Sequence, residues 1–120
     1  MATVTFVDET TAGQRGDAWH LEIFEERLPL REVIRRRIFQ EVAEHNAGGG
    51  AVFRGLVQPA TAKPRHVDPE KQFAKAVEAF SRNGFIVLVD DLQVEELDTM
   101  LDLRMGTEIT FLKLVPLVGG

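Results

Sequence analysis

The sequence predicts an α+β fold in which one long helix lies across one face of a sheet. Three observations carry this. Two early segments alternate apolar and polar residues with the period of a strand: Val4 and Phe6 against Thr5 and Val7, then Trp19, Leu21 and Ile23 against His20, Glu22 and Phe24. A single apolar stripe at helical spacing follows, made of Leu30, Val33, Ile34, Ile38 and Val42. The last third brings a β-branched run, Phe85-Ile86-Val87-Leu88-Val89, and a closing segment in which Ile109 and Phe111 alternate with Thr110 and Leu112. Strands grouped on either side of one long helix are built as α+β.

Taken in order, residues 3–10 form the first strand. Gly13-Gln14-Arg15-Gly16-Asp17 is a turn cluster, so the strand over 19–24 returns as a hairpin. Pro29, with its fixed φ, suits the first position of the helix. Its opposite side carries Arg31, Arg35 and Arg36, with Arg37 and Glu41 flanking. Glu32 and Arg36 stand i,i+4 as an ion pair worth about 0.3 kcal/mol. The helix fails at Asn46, ahead of Gly48-Gly49-Gly50, and His45 in its last turn suits the helix dipole. Each large apolar side chain buried by the stripe contributes ~1.5–3 kcal/mol before entropy.

Residues 48–67 are the least regular. Val52, Phe53, Leu56 and Val57 are expected in a short strand, and residues 59–64 in a loop. Asp68-Pro69 starts a second helix, a carboxylate cap followed by proline in the first turn. Phe73, Ala76, Val77 and Phe80 mark its inner face, and Asn83-Gly84 supplies a left-handed stop. After the run 85–89, Asp90-Asp91 is a two-residue turn and Leu92-Gln93-Val94 begins the return. Leu97, Met100, Leu101 and Leu103 fall in a compact turn or short 3₁₀ segment. Gly106 closes a turn before the last strand. Pairing of that strand ends near Pro116, which has no N–H for a ladder, and residues 117–120 then project into solvent.

With 120 residues, 44% hydrophobic and 28% charged, the chain is expected to form one soluble globular domain. No apolar run approaches the ~18 residues of a membrane span, and no basic, apolar leader is seen. Cysteine is absent, which removes disulfide and thiolate chemistry and suits the cytoplasm. The net charge of −5 argues against nucleic acid as a partner. Ser81 is the sole serine, and His20, His45 and His66 fall in separate segments without ligand spacing. Asp90-Asp91 and Glu95-Glu96 suit a solvated hairpin better than a metal or acid/base pair. Gly48-Gly49-Gly50 lacks the Lys-Ser/Thr of a phosphate loop. No catalytic residue, metal ligand or bound cofactor is therefore expected. The Arg35-Arg36-Arg37 run is either a solvated face or a dock for an acidic partner. Gly119-Gly120 has two readings as well. A carboxylate with no Cβ beside it threads a narrow enzyme channel and is open to attack once activated; glycines also simply fray at termini.

The predicted order is strand, strand, helix, an irregular part with an extra helix, strand, short hairpin and final strand. Ending in Gly119-Gly120, it resembles the β-grasp fold of ubiquitin and of the sulfur carriers of the molybdopterin-synthase small-subunit and thiamine-carrier type. The likeness covers about residues 4–46 and 84–120. It rests on Val87-Leu88-Val89-Asp90, Leu101-Asp102-Leu103, Gly106-Thr107-Glu108-Ile109-Thr110-Phe111 and Gly119-Gly120. The chain looks most similar to the bacterial ubiquitin-like proteins encoded beside E1-like, E2-like and JAB-type peptidase genes, with an insertion at about 47–83 that minimal members lack.

The resemblance implies a single ubiquitin-like β-grasp domain over 1–120, with a tail from about 116 to 120, in the cytoplasm. It implies a substrate and carrier for enzymes rather than an enzyme. The Gly120 carboxylate would be adenylated with ATP by an E1-like enzyme, passed through E1-like and E2-like thioesters, and joined to a target amine, with a JAB-type peptidase as a further partner. A sulfur carrier, whose Gly120 becomes a thiocarboxylate for cofactor or tRNA thiolation, is one alternative; a non-covalent interaction module is another. Candidate partner contacts are Leu112, Leu114 and Leu117 on the closing strand and tail, and Arg35 and Arg36 on the helix. Some relatives self-associate, and the insertion is one place for it. Lys63, Lys71, Lys75 and Lys113 offer few attachment points for chains of the protein on itself. Targets and biological role, antiviral defence included, lie beyond these residues.

Overall fold

The computed structural model describes residues 2–13, 15–48, 55–57 and 66–114. In chain order they form β1 (Ala2–Thr10), β2 (Arg15–Ile23), β3 (Arg27–Pro29), α1 (Leu30–Asn46), α2 (Pro69–Ser81), β4 (Phe85–Val89), β5 (Leu92–Val94), β6 (Met100–Asp102) and β7 (Glu108–Lys113). The class is α+β, as expected. Two compact units result: Met1–Leu30 with Asn83–Gly120, and Arg31–Arg82. Among the described residues, no helix is long and apolar enough to cross a membrane.

The first unit is built on a five-stranded mixed sheet in the order β2-β1-β7-β4-β5. β1 pairs antiparallel with β2 and parallel with β7, and β7 pairs antiparallel with β4. Alternation sorts the side chains, since successive residues of a strand point to opposite faces. Val4, Phe6, Ile23, Phe85, Val87, Ile109 and Phe111 share one face and are buried. Phe6 meets Trp19 edge to face, with centroids 4.8 Å apart, and Phe111 in the same manner at 5.6 Å.

Three features of this unit differ from the sequence reading. The first turn is shorter, because Arg15 and Gly16 already belong to β2. Register slips between Val7 and Glu9, a bulge with its extra residue on β2. Gly16 sits in that bulge, where a Cβ would lie 3.3 Å from the Asp8 carbonyl oxygen. Second, Pro29 ends a strand rather than opening the helix. It stands opposite Met100 in the two-stranded β3-β6 sheet, and as the end residue its missing N–H costs the ladder nothing internal. Third, Met100 and Leu101, expected in a turn or 3₁₀ segment, are therefore in β6. The Asp90-Asp91 turn stands as expected, with φ of 47° and 71°, both left-handed as a tight hairpin requires.

In the second unit, Val33, Ile34, Ile38 and Val42 of the α1 stripe are buried, as is Leu30 just before it. Arg37, expected to flank the polar side, is only 2% exposed. Its Nε donates to the Glu41 carboxylate one turn on. The other Glu41 oxygen accepts from the Leu56 N–H at 3.1 Å. The reason lies on the helical wheel: positions 37 and 41 recur at three and four residues from the stripe. Glu32 and Arg36 pair as predicted, at 3.3 Å.

No strand forms at residues 55–57, which are bends; Val52 and Phe53 lie outside the described residues. Side chains hold this segment instead. Gln72 Nε2 donates to the Val57 carbonyl at 3.0 Å. Asn46 donates to the Val67 carbonyl and accepts its N–H, both at 2.9 Å. Asp68 caps α2 by accepting from the N–H of Glu70 at 2.9 Å and of Lys71 at 3.4 Å, and Pro69 opens the helix. Ala76 is buried as expected, but Gln72 is the other fully inward position, while Phe73, Val77 and Phe80 are half-buried. Asn83, at φ 59°, provides the left-handed stop.

Candidate functional site

The predicted site residues separate into three groups. Leu117, Gly119 and Gly120 lie outside the described residues. Leu112 and Leu114 stand at the end of β7. Arg35 and Arg36 stand on α1 in the other unit.

β7 is hydrogen-bonded along both edges, its residues standing opposite Thr5 to Thr10 of β1 and opposite β4. The pairing continues to the last described residues: the Lys113 carbonyl accepts from Thr11 N–H at 3.2 Å, and the Leu114 N–H donates to the Gly84 carbonyl at 3.2 Å. A strand tied on both sides to its final residue is among the last parts of a sheet to open. It fixes the point from which the chain runs on toward Gly119-Gly120.

Leu112 and Leu114 share the face of the sheet opposite the Phe6–Phe111 cluster. Ile86 stands beside Leu112 on β4, and Leu88 beside Thr110. Ile86, Leu88 and Leu112 are half-buried and Leu114 is 38% exposed, so an aliphatic patch marks this end of β7. Ile86 and Leu88 were missed in the sequence because the run 85–89 reads as buried on both faces. A five-residue apolar strand in an antiparallel pair already implies a second apolar face.

On the same face, Val7 and Thr110 are buried although they point away from the aromatic cluster. Arg15 bonds Glu9 at 3.3 Å and also Glu108, carboxylates that lie on either side of the Val7–Thr110 row. At the end of β1 and β7, Asp8, Glu9, Thr10, Arg15, Gly16 and Lys113 line a cleft of about 560 Å³.

Arg35 and Arg36 are not a free cationic surface. Arg35 lies 4.3 Å above the Phe39 ring and bonds Glu70 at 3.2 Å, and Arg36 bonds Glu32. Exposed pairs of this kind contribute ~1 kcal/mol or less, so either can be exchanged for a partner's carboxylate at small cost. Among the described residues, no His, Cys, Asp and Glu group could hold a metal ion. Compared with protein-family models, with curated proteins and with solved structures, the chain gives no match.

Proposed function

We propose that this chain is a ubiquitin-like β-grasp modifier, cytoplasmic, that acts as the substrate of an activating enzyme through its Gly120 carboxylate. One observation carries the reading. The closing strand β7 lies parallel beside the opening strand β1 in the middle of the sheet and is hydrogen-bonded on both sides up to Leu114. A tail that is to be drawn into an enzyme channel needs a root of this kind, and the sequence beyond it ends in Gly119-Gly120. The aliphatic patch of Ile86, Leu88, Leu112 and Leu114 beside that root supports contact with the same enzymes.

The chemistry proceeds by covalent catalysis. The Gly120 carboxylate attacks the α-phosphorus of ATP and displaces pyrophosphate, giving an acyl adenylate. A thiolate of the E1-like enzyme attacks the acyl carbon and displaces AMP. A target amine then attacks the thioester, forms an amide and releases the thiol. An E2-like enzyme accepts the acyl group between these last steps, and a JAB-type peptidase is the natural reversing partner.

The test begins with an intact mass that places the mature chain's end at Gly120. Mixed with its E1-like enzyme and ATP, the chain forms an adduct that a free thiol cleaves. Gly120→Ala slows that adduct about tenfold, since one methyl group in a closely fitted channel has an effect of that order. Absence of any adduct with an active enzyme refutes the reading. A gain of about 16 Da, oxygen replaced by sulfur at the carboxylate, would assign sulfur carriage instead.

A further inference from the structure

The two edges of the five-stranded sheet differ. β5 is three residues long, whereas β2 is nine, and among the described residues no strand lies on the far side of β2. An edge of that length leaves a row of main-chain donors and acceptors open to another strand. Which groups these are follows from the ladder. Thr5 N–H donates to the Thr107 carbonyl at 2.9 Å and the Thr3 carbonyl accepts from Gly106 N–H at 3.1 Å, so Thr3 and Thr5 turn their main-chain groups toward β7. Val4 and Phe6 turn theirs toward β2, and their partners Leu21 and Trp19 bond back. The N–H and C=O groups of Ala18, His20 and Glu22 therefore face the open edge. Sheets commonly protect such an edge with lysine or proline. Ala18-Trp19-His20-Leu21-Glu22-Ile23 has neither, and Phe24 after it is 73% exposed.

We infer that the β2 edge is an interface between two copies of this chain, paired antiparallel about a two-fold axis at Leu21. In a two-fold pair each residue meets the one equally far beyond the axis. Ala18 then faces Phe24 of the other copy, Trp19 faces Ile23, His20 faces Glu22, and Leu21 faces itself. Ile23 is already buried in its own copy, so the pairs that carry the match are Ala18 with Phe24, Leu21 with itself, and the imidazole of His20 with the carboxylate of Glu22. His20 and Glu22, whose main-chain groups face the edge, fall in hydrogen-bonded pairs as an antiparallel ladder requires. The neighbouring registers lose this match. An axis at His20 sets two imidazoles together and places Phe24 against Gly16 in the bulge. An axis at Trp19 carries Leu21 past the regular stretch, and an axis at Glu22 opposes two carboxylates. The sequence of β2 is thus complementary to itself in charge and apolar character, which selects a second copy as the occupant. Nothing in this depends on the tail.

Sedimentation equilibrium of the full chain, from micromolar to millimolar, should show a dimer whose fraction rises with concentration. His20→Glu puts carboxylates opposite each other twice, and should weaken association about fivefold. Adding Glu22→Lys to that variant restores an opposite-sign pair and should restore the dimer. Both positions are exposed, so neither change disturbs the core. Amide exchange should slow at His20 and Glu22 as concentration rises, and stay constant at Trp19 and Leu21, which already bond β1. A monomer throughout, a dimer indifferent to His20→Glu, a double variant that fails to recover, or protection at other amides only would each overturn the inference.

Discussion

In the sheet unit, main-chain groups are satisfied mostly by other main-chain groups; in the Arg31–Arg82 unit, side chains take that part in the described stretches between its two helices. β7 has a strand on each side, so each of its bonds has neighbours of the same kind. The 55–57 bend and the approach to α2 have no ladder. They are held by Glu41 on Leu56, Gln72 on Val57, and Asn46 on Val67. The difference teaches where each unit is vulnerable. A ladder fails when the packing that holds its strands fails. A clamp fails when one side chain is removed, because a buried donor or acceptor is then left alone.

The largest effect that sharpens this contrast is expected in the sheet. Phe111 is fully buried and touches Phe6 and, at 6.2 Å between centroids, Phe85. Phe111→Ala should cost about 4 kcal/mol, read from urea unfolding followed by Trp19 fluorescence, since Trp19 meets Phe6 edge to face in the same cluster. A cost below ~1.5 kcal/mol, the scale of a single exposed or readily refilled site, would mean that the aromatic cluster is not what holds the ladder together. In the helical unit, Glu41→Ala should cost about 3 kcal/mol, since it leaves the buried Arg37 guanidinium without its carboxylate and Leu56 N–H without an acceptor. Glu41→Gln keeps an oxygen for Leu56 and should recover part of that loss. If Glu41→Ala were nearly neutral, the clamp would be an accompaniment to packing rather than its cause.

The same contrast explains what could be read in the chain. Asp68-Pro69, Asn83-Gly84 and Asp90-Asp91 were legible because each acts on backbone within three residues of itself. The α1 stripe and the alternation of β1, β2 and β7 were legible because they repeat. The β3-β6 pair was not: Leu28 and Leu101 are far apart in the chain, three residues show no period, and Pro29 carries an equally good helix-start signal. Gly16 looked like part of a turn because a bulge and a turn use glycine for related reasons. Arg37 reads as flanking the polar side and Gln72 is not among the apolar inner positions, although the spacing of both belongs to the buried faces; a polar residue at stripe spacing signals a buried partner, here Glu41 and the Val57 carbonyl. Of the candidate site, Leu112 and Leu114 were placed by strand period. Ile86 and Leu88 were hidden in an apolar run that shows no alternation.

The smallest expected effect tests a side-chain clamp inside the sheet unit. Asp90 and Asp91 both hold left-handed backbone, and the Asp90 side chain also bonds across the turn: its carboxylate accepts from the Glu108 N–H at 3.0 Å, while its own N–H donates to the Glu108 carbonyl at 2.9 Å. Asp91→Gly removes the steric cost of a Cβ at positive φ, ~1 kcal/mol, against a somewhat smaller entropy cost in the unfolded chain. It should raise stability by about 0.5 kcal/mol. Asp90→Gly gains the same relief but leaves the Glu108 N–H to water, and should lower stability by a similar amount. Opposite signs at adjacent turn positions, measured by urea unfolding under one set of conditions, would show that a side-chain clamp contributes even where a ladder surrounds it. Equal gains at both would confine such clamps to the helical unit.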